Sequence, residues 1–183
     1  MQKQKRLGLS FSKGFTIIEL IVVIAIIAIL AAITIFSVNK FQAKARDAVR
    51  KGSINEIQKA LEMYYAVNSS YPNSGWACSN NLDTDCANKW VALQTALEPY
   101  LSKLPVDPIN ENIRMPYSNV LAYGYYSSGY GCPGQWYLLV YGLENKNIVS
   151  PGAVTCDSTS PLLNWQSGKT ITVGQCKGTK CKY

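Results

Sequence analysis

The chain contains no histidine, so it lacks the side chain that most often serves as a general base near neutral pH. No Gly-x-Ser-x-Gly nucleophile motif is present either, which places catalysis last among the function classes. Cysteine is missing from the first 77 residues: Cys78, Cys86, Cys132, Cys156, Cys176 and Cys181 all stand in the C-terminal part. Proline and glycine are missing from Ile17 to Phe36, where every residue is apolar or small except Glu19 and Thr34. Only 16% of residues are charged while 48% are apolar, a balance that excludes a disordered tail.

The apolar run decides the class. Roughly twenty such residues in a helix span the hydrocarbon core of a bilayer. A secretory signal has a shorter apolar region and a small-residue cleavage site, yet no Ala-x-Ala occurs before Ala43 and Ala45. Lys3, Lys5, Arg6 and Lys13 precede the run, and Lys40, Lys44, Arg46, Arg50 and Lys51 follow it against one Asp47. The net charge of +7 comes from these flanks, because Gly52–Tyr183 holds nine basic and nine acidic side chains. DNA binding is therefore not supported by the charge of the C-terminal part.

An even number of cysteines in one region favours a disulfide framework in an oxidising compartment. That puts the C-terminal part outside and the short basic N-terminus in the cytoplasm. Structural zinc is disfavoured, because the closest pair, Cys176 and Cys181, has four residues between and no histidine can assist. Six cysteines allow fifteen pairings. The simplest local set is Cys78 with Cys86, Cys132 with Cys156, and Cys176 with Cys181.

Beyond the apolar run, Val38, Phe41, Ala45 and Ala48 recur at helical spacing, as do Ile54, Ile57, Leu61 and Tyr64. Asp47 and Lys51 are placed as an i,i+4 pair. One helix is predicted from about Phe15 to about Val67, ended by Asn68, Ser69, Ser70 and Pro72. A short amphipathic stretch follows with Trp90, Leu93, Leu97 and Leu101. Strands are predicted over Leu121–Ser127, Gln135–Leu143 and Thr170–Val173. The fold class is α+β: a long N-terminal helix packed on a small antiparallel sheet. Tyr123, Tyr125, Tyr126, Tyr130, Trp136, Tyr137 and Tyr141 fit a sheet with one packed face, or a stacking surface for sugars or single-stranded DNA. Lys177, Lys180 and Lys182 read as a solvated end or a small DNA contact.

Glu19 is costly within an apolar segment unless it meets a partner or is hydrated near the interface. Its context is Lys13-Gly14-Phe15-Thr16-Ile17-Ile18-Glu19-Leu20, running into IVVIAIIAILAAI. This resembles the class III signal of type IV prepilins and pseudopilins: a basic leader ending in glycine, then phenylalanine, then glutamate four residues on. The resemblance implies the pilin fold, cleavage between Gly14 and Phe15 by a prepilin peptidase, and N-methylation of Phe15. It further implies that Glu19 meets the Phe15 amine of a neighbouring subunit during assembly. Lys44–Asp47, Ile54–Pro72 and Tyr100–Pro108 are similar to the segments that join helix and head in this family, the last to major pseudopilins of type II secretion. Phe36 departs from the family, where many members have a proline.

The expected organisation is a leader over 1–14, a transmembrane segment over 15–36, the outer half of the helix over 37–68 and a disulfide-containing head over 69–183. The expected function is a structural subunit of a type IV pilus-like filament. A type II secretion pseudopilin, or a membrane-anchored binding module that never polymerises, stands beside it. Expected partners are identical or homologous pilin subunits, the prepilin peptidase, an inner-membrane assembly platform and membrane lipid. Before assembly the chain is a single-pass membrane protein; afterwards it belongs to an extracellular filament or the cell envelope. No cofactor is expected. Calcium on Asp83, Asp85 and Asp157 is the alternative, by resemblance to some pseudopilin heads.

Overall fold

Runs of apolar residues at helical spacing give way, after Asn68, to short strand-forming runs, and the computed structural model follows that change. It describes residues 14–80, 83–111, 121–145, 149–157, 162–164, 169–177 and 181, with the side chains of 33–37 outside the description. The chain divides into two compact units, Met1–Phe41 and Gln42–Tyr183.

Helix α1 runs without interruption from Ile17 to Asn68. No proline lies within it, so no backbone donor is lost along its length. In the first unit its apolar residues are exposed on every face, Ile21 to 55% and Leu30 to 58%. A helix apolar all round is stable only when something else covers it. Among the described residues, however, no helix is long and apolar enough to cross a membrane. The described part of the apolar run, 17–32, gives about 24 Å of helix against about 30 Å of hydrocarbon. The remainder of the run, to Phe36, carries side chains outside the described residues.

In the second unit the helical spacing becomes a buried face. Ile54, Ile57, Ala60 and Leu61 are buried against a four-stranded sheet, whereas Ala45 and Ala48 are exposed. Ser69, in the left-handed region at φ 55°, ends α1. Helix α2, Thr84–Leu97, starts at Asp83, whose carboxylate accepts from the amides of Asp85 and Cys86. Trp90, Leu93 and Leu97 of α2 join the same core.

The sheet contains β1 (Ala77–Cys78), β2 (Tyr123–Tyr126), β3 (Trp136–Gly142) and β6 (Thr170–Cys176), all antiparallel and in the order β1-β2-β3-β6. The last three lie within or overlap the predicted runs. Strand alternation sends Tyr123, Tyr125, Tyr137, Leu139, Tyr141 and Ile171 toward the core that holds α1. Trp136, Leu138, Val140 and Cys176 enter a second cluster with Ala153, Cys132 and the partly buried Tyr126 and Tyr130. The expectation of one packed face is thus corrected: both faces are covered, the second by the two-stranded sheet of β4 (Ala153–Val154) and β5 (Leu162–Leu163). Two-residue strands are too short to show a periodic pattern, so the sequence hid them.

Gly174 makes that second layer possible. A Cβ there would lie 2.2 Å from the carbonyl oxygen of Tyr137 and 2.5 Å from the Cβ of Ala153. Gly174→Ala is expected to force β3 and β4 away from β6 and to lower stability by about 1–3 kcal/mol. The check is the urea midpoint of the full chain in mild detergent; an unchanged midpoint would show that the two layers yield without cost.

Three disulfides are present: Cys78–Cys86 ties β1 to α2, Cys132–Cys156 ties the turn before β3 to the chain after β4, and Cys176–Cys181 ties β6 to the tail. Their Cα separations are 5.2, 5.7 and 5.8 Å. Each closes a loop and so removes entropy from the unfolded chain.

Candidate functional site

Gly14, Phe15 and Thr16 precede the first turn of α1 in non-helical backbone, and Phe15 is 80% exposed. The first turn closes a reciprocal cap. Thr16 Oγ1 accepts from the amide of Glu19 at 3.2 Å, and Glu19 Oε2 accepts from the amide and the hydroxyl of Thr16, both at 2.8 Å. A threonine followed three residues later by glutamate satisfies two of the free donors of a helix N-terminus. The sequence carries that signal at Thr16–Glu19, and the reading of Glu19 as paired elsewhere or hydrated missed it. The carboxylate therefore has a partner in its own chain, next to the Gly14–Phe15 bond.

A second polar constellation lies in the other unit, where α1 meets two loops. Arg50 is fully buried. Its Nε and Nη2 donate to the two oxygens of Asp107 at 2.6 and 3.0 Å, and Nη1 donates to Asp47 at 2.8 Å and to Glu144 at 2.7 Å. Arg46 forms a second fork to Glu144 at 2.7 and 2.6 Å. Asp47 in turn accepts from the amides of Glu144 and Asn145 and from the side chain of Asn145. The expected Asp47–Lys51 pair is thus replaced by Asp47–Arg50, because Lys51 points to solvent while Arg50 reaches carboxylates distant in sequence.

Electrostatics follow from this geometry. Burial alone would weaken the charge of Arg50, but its bonds to Asp107 and Glu144 outweigh it and hold the guanidinium above its ordinary value. Burial likewise pushes the Asp47 carboxyl up, and the amides of Glu144 and Asn145 overcome it, leaving a net lowering. The fork from Arg46 is the largest influence on Glu144, whose pKa falls to about 2. The arrangement is a clamp: it fixes α1 to the loops at 104–111 and 143–145 and has no reacting group to offer.

Other residues singled out in the sequence have structural partners. Asp83 caps α2 and Asp85 pairs with Lys89 at 2.5 Å. The Asp157 amide donates to Thr155 Oγ1. Lys177 is not a solvated end: it pairs with Glu62 and lies 4.8 Å from the ring centre of Tyr65. Lys180 and Lys182 lie outside the described residues.

Residues 9–35 match the family described as a prokaryotic N-terminal methylation motif, which contains Gly14, Phe15 and Glu19. Residues 37–134, more than half of the chain, match the family described as type II secretion system protein G. The chain belongs to the type II secretion protein G family. That match takes in Arg46, Asp47, Arg50 and Asp107, four of the clamp's five charged residues, while Glu144 falls beyond it. The chain is 37% identical over 95 residues to the type II secretion system core protein G of Pseudomonas aeruginosa, covering 52% of this chain and 66% of that relative. No solved structure matches it.

A protein G family member is a structural subunit of the pilin and pseudopilin kind and not an enzyme.

Proposed function

We propose that this chain is the filament subunit of a type II secretion pseudopilus, matured by cleavage between Gly14 and Phe15 and N-methylation of Phe15, and polymerised through α1. The match to protein G over residues 37–134 carries the choice of system, because it covers the joint and much of the head and not the leader alone. An all-round apolar first unit supports polymerisation: once out of the bilayer, such a helix needs other helices to cover it. The membrane span over 15–36, the inner-membrane assembly platform and contact with lipid belong to the same reading. A pilus subunit is the nearest alternative, since the methylation motif alone does not separate the two.

Cells lacking the chain are expected to retain secreted proteins in the envelope while keeping surface pili. Loss of pili with normal secretion would assign the chain to a pilus instead. For maturation, mass spectrometry of membrane fractions is expected to find chains beginning at methylated Phe15. Gly14→Val is expected to leave the leader attached, because a branched side chain crowds the backbone where the peptidase must approach. Normal cleavage of that variant would show that glycine is not needed there.

A further inference from the structure

The sulfurs of Cys132, Cys156 and Cys176 come from three separate stretches of chain, yet all lie within 4.8 Å of one another. Two disulfides are thereby packed side by side, with Cys156 Sγ 3.7 Å from Cys176 Sγ. Cys181 Sγ, bonded to Cys176, stands beside this group of three as a fourth sulfur. A tetrahedral zinc site with Zn–S bonds of about 2.3 Å sets neighbouring sulfurs about 3.8 Å apart. The contact between the two disulfides already has that spacing.

We propose that the reduced head binds one zinc ion between Cys132, Cys156, Cys176 and Cys181. The scaffold that brings Cys132, Cys156 and Cys176 together does not depend on the disulfides, and Cys181 follows Cys176 by five residues in the chain. Trp136 pairs with Cys176 across β3 and β6, β4 lies against β6 through the Gly152 amide on the Thr172 carbonyl, and a Cβ on Gly131 would be 3.2 Å from the Cys156 carbonyl oxygen. Cys132 and Cys176 are buried in an apolar cluster that suits thiolate ligands and excludes competing water. Sequence spacing hides the site, because sheet pairing supplies the proximity that a Cys-x-x-Cys pair usually provides.

The chemistry balances in two stages. Each disulfide becomes two thiols by taking two electrons and two protons from a dithiol, which closes to its own disulfide, or two electrons from a phosphine and two protons from water, whose oxygen leaves as phosphine oxide. The ion then displaces the four thiol protons to water, and the sulfurs of each former disulfide part to the tetrahedral spacing. A newly exported head passes through this thiol state before its disulfides close. In that interval the ion would hold the turn before β3, the end of β4 and the tail together and keep their thiols from oxidising in wrong pairs.

The test uses the full chain in mild detergent, reduced with a phosphine under inert gas and titrated with cobalt(II) and then zinc(II). Tetrathiolate charge-transfer and tetrahedral d–d bands saturating at one cobalt per chain, displaced by zinc, are expected. The double variant Cys78→Ser/Cys86→Ser should keep them. Cys176→Ser should weaken binding more than about a hundredfold, since even outer-shell changes at metal sites cost 10–100-fold. As a measurement independent of variant folding, zinc should shield Cys132, Cys156, Cys176 and Cys181 of the wild type from alkylation and leave Cys78 and Cys86 reactive. No saturable binding, equal binding by Cys176→Ser, or equal reactivity of all six cysteines would each overturn the site.

Discussion

Arg50→Ala is expected to be the most damaging single substitution in the head, lowering its stability by about 3–5 kcal/mol. The side chain is inaccessible, and so is its main partner Asp107. Removing the cation strands the Asp107 carboxylate, which among the described residues keeps the amides of Ile109 and Asn110, and leaves Glu144 with Arg46. The loss exceeds the net worth of the pair, because a buried charge without its counter-ion bears its whole desolvation penalty. Arg50→Lys should recover only part of it, since an ammonium cannot reproduce the two-pronged bond to Asp107 while reaching Asp47 and Glu144. Thermal unfolding followed by near-ultraviolet circular dichroism is the measurement; a Lys variant as stable as wild type would show that charge alone suffices.

The same clamp sets the acid limit of the head. Glu144 and Asp47 have folded pKa values below their unfolded ones, so their stabilisation is fully present above the unfolded values and is lost as the pH falls through the folded ones. For Glu144 the window runs from 4.5 down to about 2. Glu144→Gln is expected to flatten the fall in stability across that window relative to wild type.

How far the sequence revealed this molecule depended on whether a feature is local. The long helix, the amphipathic α2 and the strands around Tyr125, Leu139 and Ile171 are encoded in stretches of neighbouring residues, and their period shows in the chain itself. Arg50 shows the opposite case. In sequence it is one of five cations beside an apolar run, the ordinary dress of a membrane flank; only the return of the chain at Asp107 and Glu144 turns it into a buried tether. The second layer was hidden for a similar reason, because β4 and β5 are two residues each and are defined by what they touch. Ala45 and Ala48 continue a helical spacing that the sheet does not meet, so periodicity alone placed the packed face too early. The Thr16–Glu19 cap was legible in its spacing, but the apolar setting left a partner or hydration open, and the resemblance to prepilins drew the reading of Glu19 toward a partner in another subunit.

Those two roles of Glu19 can be separated by a pair of substitutions. Glu19→Ala removes both the cap on Thr16 and the negative charge, whereas Glu19→Gln keeps a side-chain oxygen able to accept from the Thr16 amide and loses only the charge. If a neighbouring Phe15 amine needs a counter-ion inside a helix bundle, both variants should fold a normal head and both should fail to polymerise, with assembled filament lowered more than about tenfold. If the cap alone matters, Glu19→Gln should assemble like wild type. The charge reading is the expected one, because a reciprocal cap needs only an acceptor and glutamine supplies it, while a buried amine in an apolar bundle needs an anion. Crosslinking of cells carrying each variant, with head folding checked by the intact disulfides, gives the answer. Filaments at wild-type level in Glu19→Gln would leave the cap as the whole role of this carboxylate.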